Sequence, residues 1–279
     1  MPTLFVVATP IGNLGDLTPR AREALAEAER VFAEDTRRTR ALLAYAGIEH
    51  KPVVRVDAHA PPERVARLVE GLAADAKVAL VTDAGVPGVS DPGAALVRAA
   101  SAAGVRVVPI PGASALTAAI AASGLVEGPF TFLAFLPRHG KKRRVVLERI
   151  AAASEAIVLF ESPQRITETL RDLAPATPGR RAALCRELTK LHEEILYGTL
   201  EELAALEREW LGELTLVLGP QVVAREREEE AAPAELDAEI AGRLAKGAHP
   251  KDLATELAAR LAVPRRTAYA RVLAVKGAS

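Results

Sequence analysis

Short apolar runs recur along this chain at intervals that leave room for one helix between them, and that rhythm restricts the fold more than any other feature. "LFVVA" (4–8), "RVFAE" (30–34), "VVRV" (53–56), "KVALVTD" (77–83) and "VRVVPI" (105–110) read as strands. "TPRAREALAEAE" (18–29) and "PPERVARLVEGLAAD" (61–75) carry apolar residues at helical spacing. Thr18 before Pro19 is a cap and first-turn pair, and Ser90, Asp91 and Pro92 repeat that signal ahead of "GAALVRAASAAG". Strands alternating with helices specify an α/β domain.

A second series follows. "ALTAAIAAS" (115–123) reads as a nearly all-apolar helix. "FTFLAFLP" (130–137), "AIVLFES" (156–162), "AALCREL" (182–188), "EEILYGTL" (193–200) and "GELTLVLG" (212–219) read as strands, some at hairpin spacing, which predicts a mixed sheet. The composition turns charged at "PQVVAREREEEAAPAE" (220–235), a linker or an exposed helix. Beyond it "LDAEIAGRLAKG", "HPKDLATELAARLAV" and "PRRTAYARVLAVKG" are three short helices, the last two meeting at Val263–Pro264 with helix–turn–helix spacing. The expected organisation is an N-terminal α/β domain over 1–112, a second α/β domain over 113–222, a linker over 223–234 and a helical segment over 235–279. That segment carries three Lys and five Arg against two Asp and three Glu. The balance fits contact with nucleic acid, and a helical cap or dimerisation unit equally.

Several functional classes are excluded. The formal net charge is zero, which argues against a chain coated in basic charge for nucleic acid, though not against a local basic site. A single cysteine, Cys185, forms no internal disulfide and points to a reducing cytoplasm. No paired Cys/His spacing suggests zinc, so no metal is expected. The longest apolar stretches run to about nine residues, too short to span a membrane. "MPTLFVVATP" lacks a basic region and does not read as a secretory signal. No G-x-x-x-x-G-K-[ST] and no G-x-S-x-G turn is present, which removes a Walker-type site and a serine-hydrolase elbow.

Three Gly/Pro loops remain, each at the end of an expected strand: Thr9–Gly15, Asp83–Gly93 and Pro109–Ser114. The first takes about ten residues where a strand-to-helix connection usually needs two to six. Loops of this kind at the carboxyl ends of strands leave backbone N–H groups for a ligand.

These loops and the segments around them carry a resemblance. "VVATPIGNLGDLTPRA", "EDTRRTRALL" (34–43), "VTDAGVPGVSDPGAALV" (81–97), "VVPIPGASALTAAIAASGL" (107–125), "FLAFLPR" (132–138), "LFESPQRI" (159–166), "CRELTKLHEEILYGTL" (185–200) and "LTLVLGP" (214–220) resemble, in order, the tetrapyrrole methylase superfamily in its branch that acts on ribosomal RNA. The resemblance covers about residues 3–222 and extends to the helix–turn–helix tail. It implies a two-domain tetrapyrrole-methylase-like fold with mixed sheets, usually a homodimer. It also implies S-adenosylmethionine as methyl donor and, as acceptor, the ribose 2′-hydroxyl of a decoding-centre cytidine in the 16S rRNA of the 30S subunit.

The match has two departures. Asn13 stands where many members of the superfamily have Asp, and Gly85-Val86-Pro87 replaces the Gly-Asp-Pro of small-molecule methylases. With no carboxylate at Val86, either backbone groups hold the donor there or Asp83 substitutes. The resemblance places Pro10, Gly12, Asp83, Ala84, Gly85, Val86, Val89, Ser114, Ala115 and Glu161 around the donor. Physically, the residues at 111–115 open a helix whose N–H groups suit the methionine carboxylate. "LAF" (133–135), "LFES" (159–162) and "VLGP" (217–220) suit an adenine slot.

Methyl transfer to a hydroxyl needs alignment and then help with its proton. Asp35, Glu187 and Lys190 are the candidate catalytic groups, lying in two mixed-charge clusters, "EDTRRTR" and "CRELTKLHEE". Arg37, Arg38, Arg138, Lys141, Lys142, Arg143, Arg265 and Arg266 are the candidate RNA contacts. Two rival functions share parts of this reading: a methylase of a cobalamin or haem precursor, and a ligand-sensing DNA-binding regulator. Val86, the basic "RHGKKRR" (138–144) and the C-terminal helices disfavour the first. The donor motifs disfavour the second.

Overall fold

In the computed structural model, strand β1 (Thr3–Val7) lies inside a five-stranded sheet between β4 (Lys77–Val81) and β5 (Arg106–Ile110). The described residues are 1–56, 61–72, 76–83, 85–89, 93–221, 236–260 and 265–277. The expected cap at Ser90–Pro92, the linker at 223–234 and Ala84 lie outside them. Strands β2 (Arg30–Ala33) and β3 (Val53–Arg55) complete the order β3-β2-β4-β1-β5, and every pairing is parallel. The sequence explains the arrangement. A parallel sheet is covered on both faces, so its strands are apolar throughout. In β4, Ala79 and Val81 face one core while Val78 and Leu80 face the other. Helices α1 (Pro19–Glu27) and α2 (Thr36–Tyr45) fill the first side with Ala21, Leu25, Leu42 and Leu43. Helices α3 (Pro62–Glu70) and α4 (Gly93–Ala102) fill the second with Val65, Val69, Leu96 and Ala100. Thr18 caps α1 as expected: its hydroxyl accepts from the Ala21 N–H, and Pro19 follows at the first helical position.

The second sheet is mixed. Its order is β6 (Phe130–Phe135), β7 (Ala156–Glu161), β10 (Leu214–Leu218), β8 (Arg181–Arg186), β9 (Glu194–Thr199). Strand β6 runs parallel to β7; β10 is antiparallel to β7 and β8, and β8 to β9. Helices α6 (Gly140–Ala152), α7 (Ile166–Leu173) and α8 (Leu200–Ala204) cover one face, where Leu214, Leu216 and Leu218 point. The opposite face, with Val158, Ala183 and Val217, is covered by α5 (Ala115–Ser123). Cys185 belongs to that layer; burial pushes its thiol up to about 11, which makes it an inert core residue.

Residues 1–221 form one compact unit, in which the loop after β1 is bonded both to its own sheet and to the second. The Thr9 N–H donates to the Gly85 carbonyl at 2.9 Å and its hydroxyl to the Thr82 carbonyl at 2.7 Å, so the loop after β1 is stitched to the loop after β4. The Asn13 N–H donates to the Thr189 hydroxyl at 3.1 Å, which ties the same loop to the turn between β8 and β9. A Cβ on Gly85 would stand 2.8 Å from both the Ala113 carbonyl oxygen and the Ile11 side chain, and its φ of +91° suits glycine. The long β1–α1 connection is therefore a buttress spanning both sheets. The remaining residues, 222–279, form a second compact unit. Its helices α9 (236–245), α10 (Pro250–Arg260) and α11 (Arg265–Gly277) close around Ile240, Leu253, Leu257 and Val272. An Arg243–Glu256 pair at 2.9 Å and an Arg271–Asp237 pair at 2.8 Å add to it. Among the described residues no helix is long and apolar enough to cross a membrane.

A side chain on Gly12 would fall on the Lys190 Cγ and stand 2.8 Å from the Thr189 hydroxyl. Gly12→Ala should therefore lower the unfolding free energy by about 1–3 kcal/mol, the cost of overpacking a fixed contact. A Cβ on Gly128 would meet nothing within 4 Å, so that position should tolerate Ala within about 0.5 kcal/mol. Urea denaturation of both variants checks the contrast.

Candidate functional site

The carboxyl ends of β1, β2, β4 and β5 open toward the second sheet, the position where open α/β sheets hold ligands. Two adjoining cavities lie there. The larger, about 510 Å³, has the rings of Phe135 and Phe160 with Pro163 and Leu214 on its apolar side, and Asp35, Asp83 and Glu213 on its acidic side. The smaller, about 280 Å³, is walled by the opening loop (Pro10, Gly12, Leu14), by Thr39 and Leu42 of α2, and by Lys190. Ile11, Arg38, Asp83 and Glu213 belong to both walls.

Most charged groups around the cavities are already engaged. Asp35 caps α2: its Oδ1 accepts from the Arg37 N–H at 2.7 Å and the Arg38 N–H at 3.2 Å. The backbone amides of Arg38 and Arg37 hold its carboxyl below the usual carboxylate range. Glu187 accepts from Lys190 Nζ and from the Glu213 N–H, both at 2.8 Å. Burial opposes its charge, but Lys190 and that amide outweigh burial and lower its pKa. Lys190 also pairs with Glu213 at 3.1 Å. Burial disfavours its ammonium, yet the two carboxylates outweigh that and raise its pKa, so it stays charged. Each expected catalytic group thus has a structural partner: Asp35 caps α2 on the wall of the larger cavity, Lys190 stands on the wall of the smaller, and Glu187 braces Lys190 without lining either cavity.

Asp83 is different. It sits at the end of β4, its side chain 23% exposed, with Arg38 Nη1 at 3.8 Å. Burial pushes its carboxyl up; Arg38 opposes the shift, while Asp35, Glu34 and Glu213 add to it. Glu34 itself accepts from the Thr82 hydroxyl at 3.1 Å.

The structure divides the residues expected around a donor. Pro10, Gly12, Asp83, Ala115 and Glu161 reach the cavity walls. Gly85, Val86, Val89 and Ser114 do not line these two cavities; Gly85 instead joins the loops together. Ser114 stands at the N-cap of α5 without a side-chain cap bond, leaving the first-turn N–H groups of α5 without that partner. Glu161 is neither solvated nor free. Its Oε1 accepts from the Ser162 N–H and its Oε2 from the Thr169 hydroxyl, each at 2.9 Å, with Arg165 Nε at 3.3 Å. Of the segments expected in the adenine slot, "LAF" and "LFES" contribute Phe135 and Phe160–Ser162, whereas 217–220 is replaced by Leu214 and Thr215 at the other end of β10. Arg38 and Glu213 were not expected on both walls. Arg38 follows from its place one turn inside α2, but nothing local in the sequence marks Glu213.

Of the expected RNA contacts, Arg37, Arg138, Lys141, Lys142 and Arg266 are exposed. The side chain of Arg265 lies outside the described residues. Arg143 is a correction. It is buried, donating to Asp172 Oδ2 at 2.9 Å and the Thr169 hydroxyl at 3.1 Å, and so joins α6 to α7. It shares the inner face of α6 with Ile150, two turns on, and cannot also meet a phosphate.

A family model described as Tetrapyrrole (Corrin/Porphyrin) Methylases matches residues 3–204, and the chain belongs to that family. It is 40% identical over 273 residues to the ribosomal RNA small subunit methyltransferase I of Halalkalibacterium halodurans, covering 96% of this chain and 93% of that protein. It is 47% identical over 202 residues to the protein of the same name from Xylella fastidiosa (strain Temecula1), covering 72% and 74%. Among solved structures, uroporphyrin-III C-methyl transferase from Thermus thermophilus complexed with S-adenyl homocysteine shares the fold, with a TM-score of 0.55 at 22% identity over 79% of this chain and 98% of that one.

Two outcomes follow from the engaged groups. Arg143→Ala should destabilise the protein by about 2 kcal/mol, because it removes the buried partner of Asp172 and the link from α6 to α7. Lys141→Ala and Lys142→Ala should stay within about 0.5 kcal/mol in the same urea titration. Asp35 has a folded pKa below its unfolded one. Its stabilisation is therefore present above the unfolded value and lost as pH falls through the folded value. Asp35→Ala should lower the melting temperature at neutral pH, and calorimetry should find the gap closed in strong acid.

Proposed function

We propose that this protein is an S-adenosylmethionine-dependent methyltransferase of small-subunit ribosomal RNA, acting on the ribose 2′-hydroxyl of a cytidine in the decoding centre of 16S rRNA. The observation that carries the reading is the cleft of about 510 Å³, aromatic on one side and acidic on the other, in a methylase-family fold whose relatives bear the rRNA methyltransferase name. Phe135 and Phe160 suit an adenine face. Ala115 and the first turn of α5 suit a carboxylate. Asp35 and Glu213 suit the positive charge of a sulfonium. When bound, the donor supplies an electrophilic methyl group. The chain's own residues bind and orient the reactants, with Arg38 and Lys190 as cations for a phosphate beside the acceptor. Arg37, Arg138, Lys141 and Lys142 are exposed and suit further phosphates of the RNA, as does exposed Arg266 in the tail helices.

The finer assembly reading is a homodimer working in the cytoplasm on the 30S subunit. For the homodimer it is supported by Phe130 on the edge strand β6, an aromatic side chain 43% exposed.

Isothermal titration with S-adenosylmethionine, followed by transfer of labelled methyl to 30S subunits from a strain lacking the modification, tests the proposal. Micromolar donor binding and one methyl per subunit on a ribose are expected. Methylation of a tetrapyrrole precursor but not of RNA would overturn the substrate, and donor binding without any transfer would favour a sensor. A chain ending at residue 221 should keep donor affinity and bind 30S subunits at least about tenfold more weakly, with a shallower salt dependence. Unchanged RNA affinity and salt slope would make the tail a structural unit instead.

A further inference from the structure

Two cavities that share one wall suggest two ligands that meet there. Their linings differ in kind. Phe135 and Phe160 line only the larger, and Lys190 only the smaller. A cationic donor with an aromatic base suits the first, and a nucleoside flanked by phosphates suits the second, with Arg38 and Lys190 at hand. The smaller volume, about 280 Å³, also belongs with the smaller ligand.

The shared wall holds Ile11, Arg38, Asp83 and Glu213. Of the carboxylates around the cleft, Asp35 is bonded to two backbone amides, Glu34 to Thr82, Glu187 to Lys190 and the Glu213 amide, and Glu213 to Lys190. Asp83 has only the longer Arg38 contact, at 3.8 Å, among the described residues. Its carboxylate is thus the one placed to receive a new hydrogen bond at the meeting point. Resting on the rRNA-methyltransferase reading, we propose that the acceptor nucleoside occupies the smaller cavity and that Asp83, on the shared wall, takes the proton of its hydroxyl.

The acceptor oxygen bonds to the methyl carbon, the electron pair of the carbon–sulfur bond stays on sulfur, and the hydroxyl proton passes to an Asp83 oxygen and then to solvent. Arg38 faces Asp83 from α2 and favours its charged form; Glu34 and Asp35 face it from the end of β2, and Glu213 from the approach to β10. The three acidic neighbours, with burial, make Asp83 a stronger base than an exposed aspartate.

Two substitutions test the proposal on the full chain. In Asp83→Asn, affinities for S-adenosylmethionine and for 30S subunits should stay within about threefold, while single-turnover transfer falls at least about 100-fold. The wild-type rate should decline as pH falls through the Asp83 pKa, and that limb should vanish in the variant. Independently of activity, the ¹³C carboxyl resonance of Asp83 in the donor-free protein should titrate above that of an exposed aspartate. Leu14 lines only the smaller cavity and is 42% exposed, so Leu14→Trp fills that space without disturbing a core. It should raise the KM for 30S subunits about tenfold and leave donor affinity unchanged. Transfer by Asp83→Asn within threefold of wild type overturns the role of Asp83 alone. Loss of donor affinity in Leu14→Trp with an unchanged KM overturns the division of the cavities. Wild-type protein that binds donor yet methylates no 30S subunit overturns the rRNA reading, and this proposal with it.

Discussion

The contact of the β1–α1 loop with the turn between β8 and β9 holds the two sheets in register, and the cleft exists because of it. Ile11, Gly12 and Asn13 touch Leu188, Thr189 and Lys190, which lie more than 170 residues away in the chain. Such long-range closure has a large entropic cost, and it holds only because each partner is fixed locally first. Thr9 is bonded to the β4 loop, and the Thr189 N–H is bonded to Glu193. Gly12 and Gly85 let the backbones approach where any side chain would push the loops apart.

The same closure sorts the charges. It brings carboxylates from β2, β4 and the approach to β10 into one cleft with two cations. Bringing like charges together is unfavourable unless most are bound. Helix α2 binds Asp35 through its first amides, Lys190 binds Glu187 and Glu213 together, and Arg38 alone is left near Asp83. A fold built this way leaves Asp83, whose carboxyl burial pushes up, among carboxylates that are already hydrogen-bonded or paired.

The sheets, the Thr18 cap of α1 and the glycine- and proline-marked loops at strand ends were legible in the sequence because each is written in local terms. Apolar runs set the strands, Thr18-Pro19 set the start of α1, and glycine and proline mark loops that cannot continue a helix. The site was legible as a set of segments and less so as residues. Asp35 shows why: an Asp before a helical pattern is an N-cap signature as much as a chemical one, and the cap is what the structure uses. Arg143 shows a second reason. It lies in a run of exposed basic residues, while the seven-residue spacing to Ile150 places it on the buried face. Glu213 and the double use of Arg38 depend on which strand lies beside which, and no local pattern encodes that.

The central claim is that loops from both sheets build one donor site. Hydrogen exchange read by mass spectrometry, with and without S-adenosylmethionine, addresses it most directly. The account predicts slowed exchange at 9–16, 82–89, 111–118 and 159–164 together, and no change at 236–277. Protection confined to one sheet's loops, or centred on the C-terminal helices, would contradict it.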